Sequence, residues 1–334
     1  MPRYLLALPL FAVCALVSAV PPEEAQPKKA KDKGEADALA QVQFAEKNLK
    51  VDVWAAAPVM ANPVAFCFDE KGRAYVAETT RFDHGVPDTR GHMYWLDDDL
   101  ANRSIDDLLK MYARQYPGKQ PYQGFEKYSD QVRVVWDSTG SGRADRSEVF
   151  AGGFNRPQDG LAAGVLARKG NVYLTCVPDL YLLKDTKGDN RADVKQSLFT
   201  GFGPTVQYLG HDLHGLRMGP DGKLYFSMGD RGFCVTTKEK VKLEYPNTGA
   251  VLRCDPDGSN LEVVHSGLRN PQEIAFEELQ KNAGKQFHPK VVEALIAAIT
   301  RAGARHGAGF EAEPHEFAVE PPTVGTGSAG LGDL

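Results

Sequence analysis

The sequence lacks an excess of positive charge, cysteine motifs for haem or zinc, and, beyond residues 1–19, any hydrophobic run long enough to cross a membrane. Its 39 basic and 44 acidic residues give a net charge of −5, which argues against a nucleic-acid binder that works through bulk charge. No Cys-x-x-Cys-His motif is present, so covalent haem is not expected. The widely spaced cysteines fit buried free thiols at least as well as disulfides; they are Cys67, Cys176, Cys234 and Cys254.

The two ends of the chain differ in composition from its middle. Residues 1–19 have the features of a secretion signal, with a small-residue cleavage site that ends at Ala19. This signal predicts a periplasmic or secreted protein. Its apolar run is too short to span a bilayer comfortably, so the protein would contact a membrane only if the signal remained uncleaved. Residues 20–38 are charged and contain proline, which predicts a linker, and residues 304–334 are predicted to be a disordered tail.

Residues 40–276 repeat a unit of short strands. A turn that contains glycine and leads into alternating strand residues occurs at residues 70–76, 168–174 and 220–226. The repeat length of about 50 residues, with four short strands in each repeat, is typical of a β-propeller blade. The sequence therefore predicts an all-β fold with blades over residues 51–150, 156–202 and 206–268, and with the beginning of a fourth blade at residues 269–276.

Two further features of the repeats concern the first blade and the turns. The first blade contains an insertion, about residues 80–130, in which Ile105–Tyr112 is predicted to form a helix capped by Ser104. Acidic turns begin at Asp137 and Asp185, and their oxygens suit calcium. Asp-x-x-Gly turns also close hairpins by hydrogen bonds to their own backbone, and we consider that role the stronger one. No residue is assigned as a metal ligand.

One predicted hairpin carries the most distinctive pair of polar residues. It turns at residues 220–222, and antiparallel pairing brings His211 and Asp230 to its open end, with a slip of one residue if a bulge occurs at Gly222. A carboxylate beside an imidazole fixes the tautomer of the ring and favours its protonated form, as a general base requires. Such a pair also occurs as a purely structural hydrogen bond, and this alternative stays open.

This hairpin resembles that of the soluble quinoprotein glucose dehydrogenases and aldose sugar dehydrogenases, which are six-bladed propellers that use pyrroloquinoline quinone (PQQ). In this resemblance His211 takes the position of the catalytic histidine and Asp230 that of its partner. The segment Arg269-Asn270-Pro271-Gln272 is similar to an Arg-Asn-Pro-Gln segment of the family, which implies that Arg269 contacts the quinone. Residues 78–92 look more like a bacterial group of membrane-bound dehydrogenases of the same superfamily.

The resemblance implies oxidation of a sugar or alcohol by hydride transfer to PQQ, with calcium as a candidate second cofactor. His211 would remove the hydroxyl proton, Asp230 would orient His211, and Arg269 would stabilise negative charge on the quinone oxygen. The residues assigned to cofactor binding are Arg269, Asn270, Gln272 and Arg231. As an alternative, the Arg-Asn-Pro segment is a turn that holds two blades together, and the protein is a non-catalytic envelope propeller that binds carbohydrate or protein.

The resemblance ends at Phe276. Residues 277–303 are predicted to form a helical segment, whose apolar stripe is Val291, Val292, Leu295, Ile296 and Ile299. We interpret the residues after Phe276 as a fused or frame-shifted remnant. Three blades and part of a fourth leave sheet edges unpaired, so we expect either a truncated and inactive product, or an oligomer or partner chain that completes the ring.

Overall fold

The computed structural model describes residue 39 and residues 51–82, 84–116 and 121–274. Within these residues the chain forms three four-stranded antiparallel sheets and a two-stranded hairpin. No helix in this part of the chain is long and apolar enough to cross a membrane. The predictions for the ends of the chain lie outside the described residues; they concern residues 1–19, 20–38, 277–303 and 304–334.

Each four-stranded sheet is a meander, so strands that follow each other along the chain pair with each other, apart from one inserted hairpin. The first sheet contains β1 (Pro63–Phe68), β2 (Ala74–Glu78), β3 (Asp130–Trp136) and β4 (Arg146–Phe154). The second contains β5 (Ala162–Arg168), β6 (Asn171–Cys176), β7 (Asp179–Lys184) and β8 (Val194–Thr200). The third contains β9 (Leu213–Met218), β10 (Leu224–Met228), β13 (Gly249–Cys254) and β14 (Glu262–Leu268), and the hairpin of β11 (Phe233–Thr236) and β12 (Lys242–Tyr245) is inserted after β10. The predicted all-β fold of blade-like sheets is confirmed.

The first strand of each sheet packs beside the first strand of the next. β5 of the second sheet lies between β1 of the first sheet and β9 of the third. The backbones approach closely there: a Cβ on Gly164 in β5 would lie 3.6 Å from the Cα of His214 in β9. One buried apolar cluster joins the first two sheets, and a second joins the last two. The sheets therefore fan out from β1, β5 and β9 and bury their faces against each other, as propeller blades do.

The insertion between β2 and β3 packs on the loop that leads to β9. It contains helices α1 (Leu96–Ala101) and α2 (Ile105–Gln115) and the short 3-10 helices Thr89–Gly91, Met93–Trp95 and Pro121–Glu126. Ser104 caps α2 as predicted, by accepting a hydrogen bond from the Asp107 backbone N–H at 3.1 Å. The helix continues past Tyr112 to Gln115, whose side chain donates to Asp98 at 2.9 Å. The buried face of α2 packs with Val206, which precedes β9.

One face of β1 is not covered by the rest of the described chain. Val64, Phe66 and Phe68 are 48%, 65% and 53% exposed. They alternate with Ala65 and Cys67, which pack toward the second sheet. The first sheet therefore buries one side of β1 and leaves an apolar side exposed.

Candidate functional site

The loop that leads into β9 is held by the insertion. The Thr89 N–H donates to the Gln207 carbonyl oxygen at 2.8 Å, and the Leu209 N–H donates to the Asp88 carboxylate at 3.1 Å. These hydrogen bonds join residues that are far apart in sequence, and they fix the backbone immediately before His211.

His211 and Asp230 are brought together as the sequence predicts. Nδ1 of His211 lies 2.7 Å from Oδ1 of Asp230. The histidine is only 6% exposed, whereas the aspartate side chain is 27% exposed. Because a carboxylate accepts, Nδ1 carries the proton in the neutral ring and Nε2 is left as an acceptor. Nε2 has no hydrogen bond within the described part of the chain, so it is the ring nitrogen that can take a proton from a ligand.

The pairing of β9 with β10 explains this contact. Arg217 pairs with Tyr225 near the turn, but His214 pairs with Ser227, so a bulge lies between these pairs. This bulge falls at Gly215 and Leu216, on β9. A first bulge occurs at Gly222, as the sequence analysis considered: the Gly219 N–H donates to the Lys223 carbonyl oxygen at 2.8 Å, and the register next to the turn is slipped by one residue. The second bulge reverses that slip. Gly215 has a φ of 66°, which glycine adopts without strain. After the bulge the register aligns His211 with Asp230.

A glycine next to Asp230 allows this close approach. A Cβ on Gly229 would lie 2.4 Å from the carbonyl oxygen of His211, and the Gly229 N–H donates to the Asp212 carbonyl oxygen at 3.1 Å. Any side chain at residue 229 would therefore push the two strands apart at the position of the dyad.

Arg231 lies behind the dyad. Its guanidinium is 3.4 Å from Asp99 of α1 and 3.8 Å from Asp230, and the side chain is largely buried. It therefore links the insertion to the partner of His211. The cofactor contact assigned to Arg231 stays a prediction, and two carboxylates already share its charge.

The segment after β14 lies against the residue before His211. The side-chain N–H groups of Asn270 and Gln272 both donate to the carbonyl oxygen of Gly210, at 3.0 and 2.7 Å. Arg269 is exposed, and its guanidinium makes no hydrogen bond or ion pair with described residues. The structure thus places Asn270 and Gln272 beside the dyad and leaves Arg269 free for a ligand.

Asp212 and Tyr208 belong to this site, and sequence reasoning missed both. Asp212 is 2% exposed, and burial raises its pKa to about 7. Its Oδ1 has no hydrogen-bond partner in the described part of the chain. The ring of Tyr208 packs edge-on against that of His211, with centroids 4.3 Å apart. The sequence feature that could have identified them is their closeness to His211 in the chain: Asp212 follows it directly, and Tyr208 precedes it by three residues.

An open cavity of about 590 Å³ is lined by residues of β1, β5 and β9. Gly210 and Asp212, which flank His211, line it, whereas His211 and Asp230 themselves do not. Its walls are mainly apolar, with a few polar groups from β9 and from the segment after β14. Among its lining residues are Val64, Phe66, Leu161, Asp212, His214 and Gln272. A cavity of this size and composition can hold a small organic molecule.

Comparison with known proteins gives a family but no activity. The model of a domain of unknown function (DUF7133) matches residues 35–295, which is more than half of the chain. The chain belongs to the DUF7133 family. No curated protein matches it, so the resemblance to quinoprotein dehydrogenases rests on the motifs around His211 and Arg269. The DUF7133 match runs past Phe276, where that resemblance ends.

The acidic turns of this DUF7133 chain bind their own backbone. The Asp137 carboxylate accepts from the backbone N–H groups of Gly140 and Gly142 at 2.8 and 2.7 Å. Burial raises the pKa of Asp137, but hydrogen bonds from Thr139, Gly142 and Ser141 outweigh it and lower the pKa to about 2. Asp185 accepts from Gly188 in the same way at 2.6 Å. Among the described residues, no group of three His, Cys, Asp or Glu side chains is placed to hold a metal ion.

Proposed function

We propose that this DUF7133 chain belongs to a PQQ-dependent dehydrogenase that oxidises a sugar or an alcohol, with His211 as general base. The observation that supports the proposal is the 2.7 Å hydrogen bond between His211 and Asp230. It occurs at the positions that the resemblance assigns, on blade-like sheets of the kind that the resemblance implies. A buried imidazole with one ring nitrogen fixed and the other free is suited to accept a proton.

The residues present fit this chemistry. When bound, PQQ supplies the electrophilic carbon that accepts the hydride. Nε2 of His211 takes the hydroxyl proton of the substrate, and Asp230 holds Nδ1–H and stabilises the resulting imidazolium. PQQ is a planar anion with three carboxylates. Arg269 is exposed, and a guanidinium is suited to hold an anionic oxygen; it belongs to the segment whose Asn270 and Gln272 contact Gly210.

Reconstitution of the full chain with PQQ and calcium tests the proposal. Reduction of a dye by aldoses and simple alcohols measures turnover, and quenching of protein fluorescence measures PQQ binding. We expect His211→Ala to lower turnover by about two orders of magnitude or more, as for the loss of a general base. His265→Ala is the matched control, because His265 is an exposed histidine on β14. Bound PQQ without turnover of any of these substrates would refute the proposal.

A non-catalytic propeller that binds carbohydrate or protein is favoured by a different observation, the exposure of Phe66 and Phe68 on β1. Apolar side chains grouped in solvent mark interaction surfaces, which include the surface where another chain would complete the ring. This function predicts binding that survives His211→Ala and is lost in Phe66→Ser. Binding of immobilised polysaccharides and the mass in solution are the measurements.

A further inference from the structure

On the basis of the function proposed above, we propose that Asn270 and Gln272 are positioning residues for His211 and not cofactor ligands. Each uses a side-chain N–H to hold the Gly210 carbonyl, at 3.0 Å from Asn270 and 2.7 Å from Gln272. A carbonyl oxygen has two lone pairs, so the pair occupies this acceptor fully. Neither donor can turn toward a cofactor without leaving the Gly210 carbonyl with one hydrogen bond fewer.

The position of the His211 backbone depends on the peptide group of Gly210, which precedes it. Gly210 has a φ of 95°, a conformation that only glycine adopts without strain. Its N–H donates to the Asp212 carboxylate at 3.3 Å, and the next N–H, that of His211, donates to the Tyr208 carbonyl oxygen at 2.7 Å. The peptide between Gly210 and His211 is therefore held at both of its polar groups: its carbonyl oxygen accepts from Asn270 and Gln272, and its N–H donates to Tyr208. Loss of the two amides would free this peptide to shift, and a shift of the peptide carries the His211 backbone with it and alters the contact of the ring with Asp230.

The segment after β14 is seated along β9 at more than one place. A Cβ on Gly215 would lie 3.0 Å from the carbonyl oxygen of Gln272, so the two backbones touch there. Beyond it, the guanidinium of Arg217 pairs with the Glu273 carboxylate at 2.6 Å. The segment therefore runs beside β9, and its amides meet Gly210 because the neighbouring contacts hold the backbone in register.

Proton transfer is sensitive to the placement of the base. A displacement of about 1 Å costs up to about 100-fold in rate, so loosening Gly210 lowers kcat even though no group that touches the substrate is lost. A cofactor ligand behaves differently, because its loss weakens PQQ binding. Arg269, in the same segment, is exposed and is the residue whose loss should weaken PQQ binding.

Nuclear magnetic resonance of the full chain labelled with ¹⁵N-histidine tests the placement without cofactor or turnover. The double variant Asn270→Asp, Gln272→Glu keeps the side-chain shapes but removes both donors, and the double alanine variant is a second form without added charge. We expect both to shift or broaden the ring signals of His211, which are assigned with His211→Gln, and to lose the Nδ1–H signal. Arg269→Ala should leave these signals unchanged, and thermal melts check that each variant is folded.

Kinetics with PQQ then separate the two roles. We expect the double variants to lower kcat by about 10- to 100-fold with PQQ affinity unchanged, and Arg269→Ala to weaken PQQ binding with the His211 signals intact. Unchanged His211 signals in both folded double variants would overturn the positioning role. Altered signals in a chain that shows no turnover with any substrate would support the positioning role and refute the proposed dehydrogenase.

Discussion

Replacing Asp212 with asparagine should stabilise the protein at alkaline pH and change little in acid. Asp212 is buried, and its pKa is raised by burial to about 7, compared with an ordinary value of 3.8. The folded state therefore keeps the proton between these two pH values, whereas the unfolded state releases it. As the pH rises from about 4 to about 7, the stability contributed by protonated Asp212 is lost, and above pH 7 the full penalty for the buried charge applies.

The size of the effect follows from the shift. One pKa unit corresponds to about 1.4 kcal/mol, so a shift of about three units corresponds to about 4 kcal/mol as an upper value. Asparagine carries no charge, and its amide oxygen can accept the Gly210 N–H in place of the carboxylate. Its NH2 group then lies where Oδ1 of Asp212 has no partner among the described residues, which costs about 1–2 kcal/mol. We expect Asp212→Asn to raise the free energy of unfolding by at most about 2–3 kcal/mol at pH 8.

Urea denaturation at pH 4.5, 6 and 8, followed by tryptophan fluorescence, measures this difference. The variant should approach or fall slightly below the natural sequence at pH 4.5 and exceed it progressively above pH 6. Asp221→Asn is the control, because burial raises the pKa of this turn residue but hydrogen bonds outweigh it and lower the pKa, so its substitution should destabilise slightly at pH 8. Stability curves for Asp212→Asn and the natural sequence that stay parallel from pH 4.5 to 8 would refute the reasoning.

Three further predictions concern backbone contact, thiol chemistry and a buried cation. Gly229→Ala should lower the free energy of unfolding by about 2–4 kcal/mol in urea titrations, since its Cβ meets the His211 carbonyl, whereas Gly91→Ala, which meets nothing within 4 Å, should change it little. Cys176 is fully buried with a raised pKa because of burial, so Ellman's reagent should label it only after unfolding. Arg81→Met should lower the free energy of unfolding by about 3–5 kcal/mol in thermal and urea melts. The buried guanidinium of Arg81 donates to the carbonyl oxygen of Asp159, in the loop between the first two sheets, and to that of Gly85, in the insertion.

The features that depend on local chemistry could be predicted from the sequence. Turns at Gly72 and Gly222, both with positive φ, mark strand pairs because glycine adopts that conformation without strain. Ser104 marked the start of α2 because its hydroxyl accepts an N–H of the first turn. The His211 to Asp230 contact was also predictable, since both registers that the turn allows bring the two residues to the open end of the hairpin.

The features that depend on distant contacts could not be predicted. The link from Arg231 to Asp99 joins residues in different parts of the chain, and no local pattern indicates it. The bulge at Gly215 lies where β9 meets the backbone of Gln272, and the sequence of the turn does not indicate it. The hydrogen bonds from Asn270 and Gln272 to Gly210 also join distant residues, and a motif shows which residue types are present but not which acceptor each one finds.

The uncovered side of β1 has a practical consequence for work with this protein in solution. Phe66 and Phe68 stack edge to face, 5.9 Å apart, and Trp54 adds a third ring against Phe68 at 5.7 Å. Such aromatic surfaces adhere to each other, and sulfate or phosphate strengthens that tendency because these salts are excluded from protein surfaces. Concentrated stocks in such buffers should scatter light first, and dilute stocks in low salt should remain clear for longest.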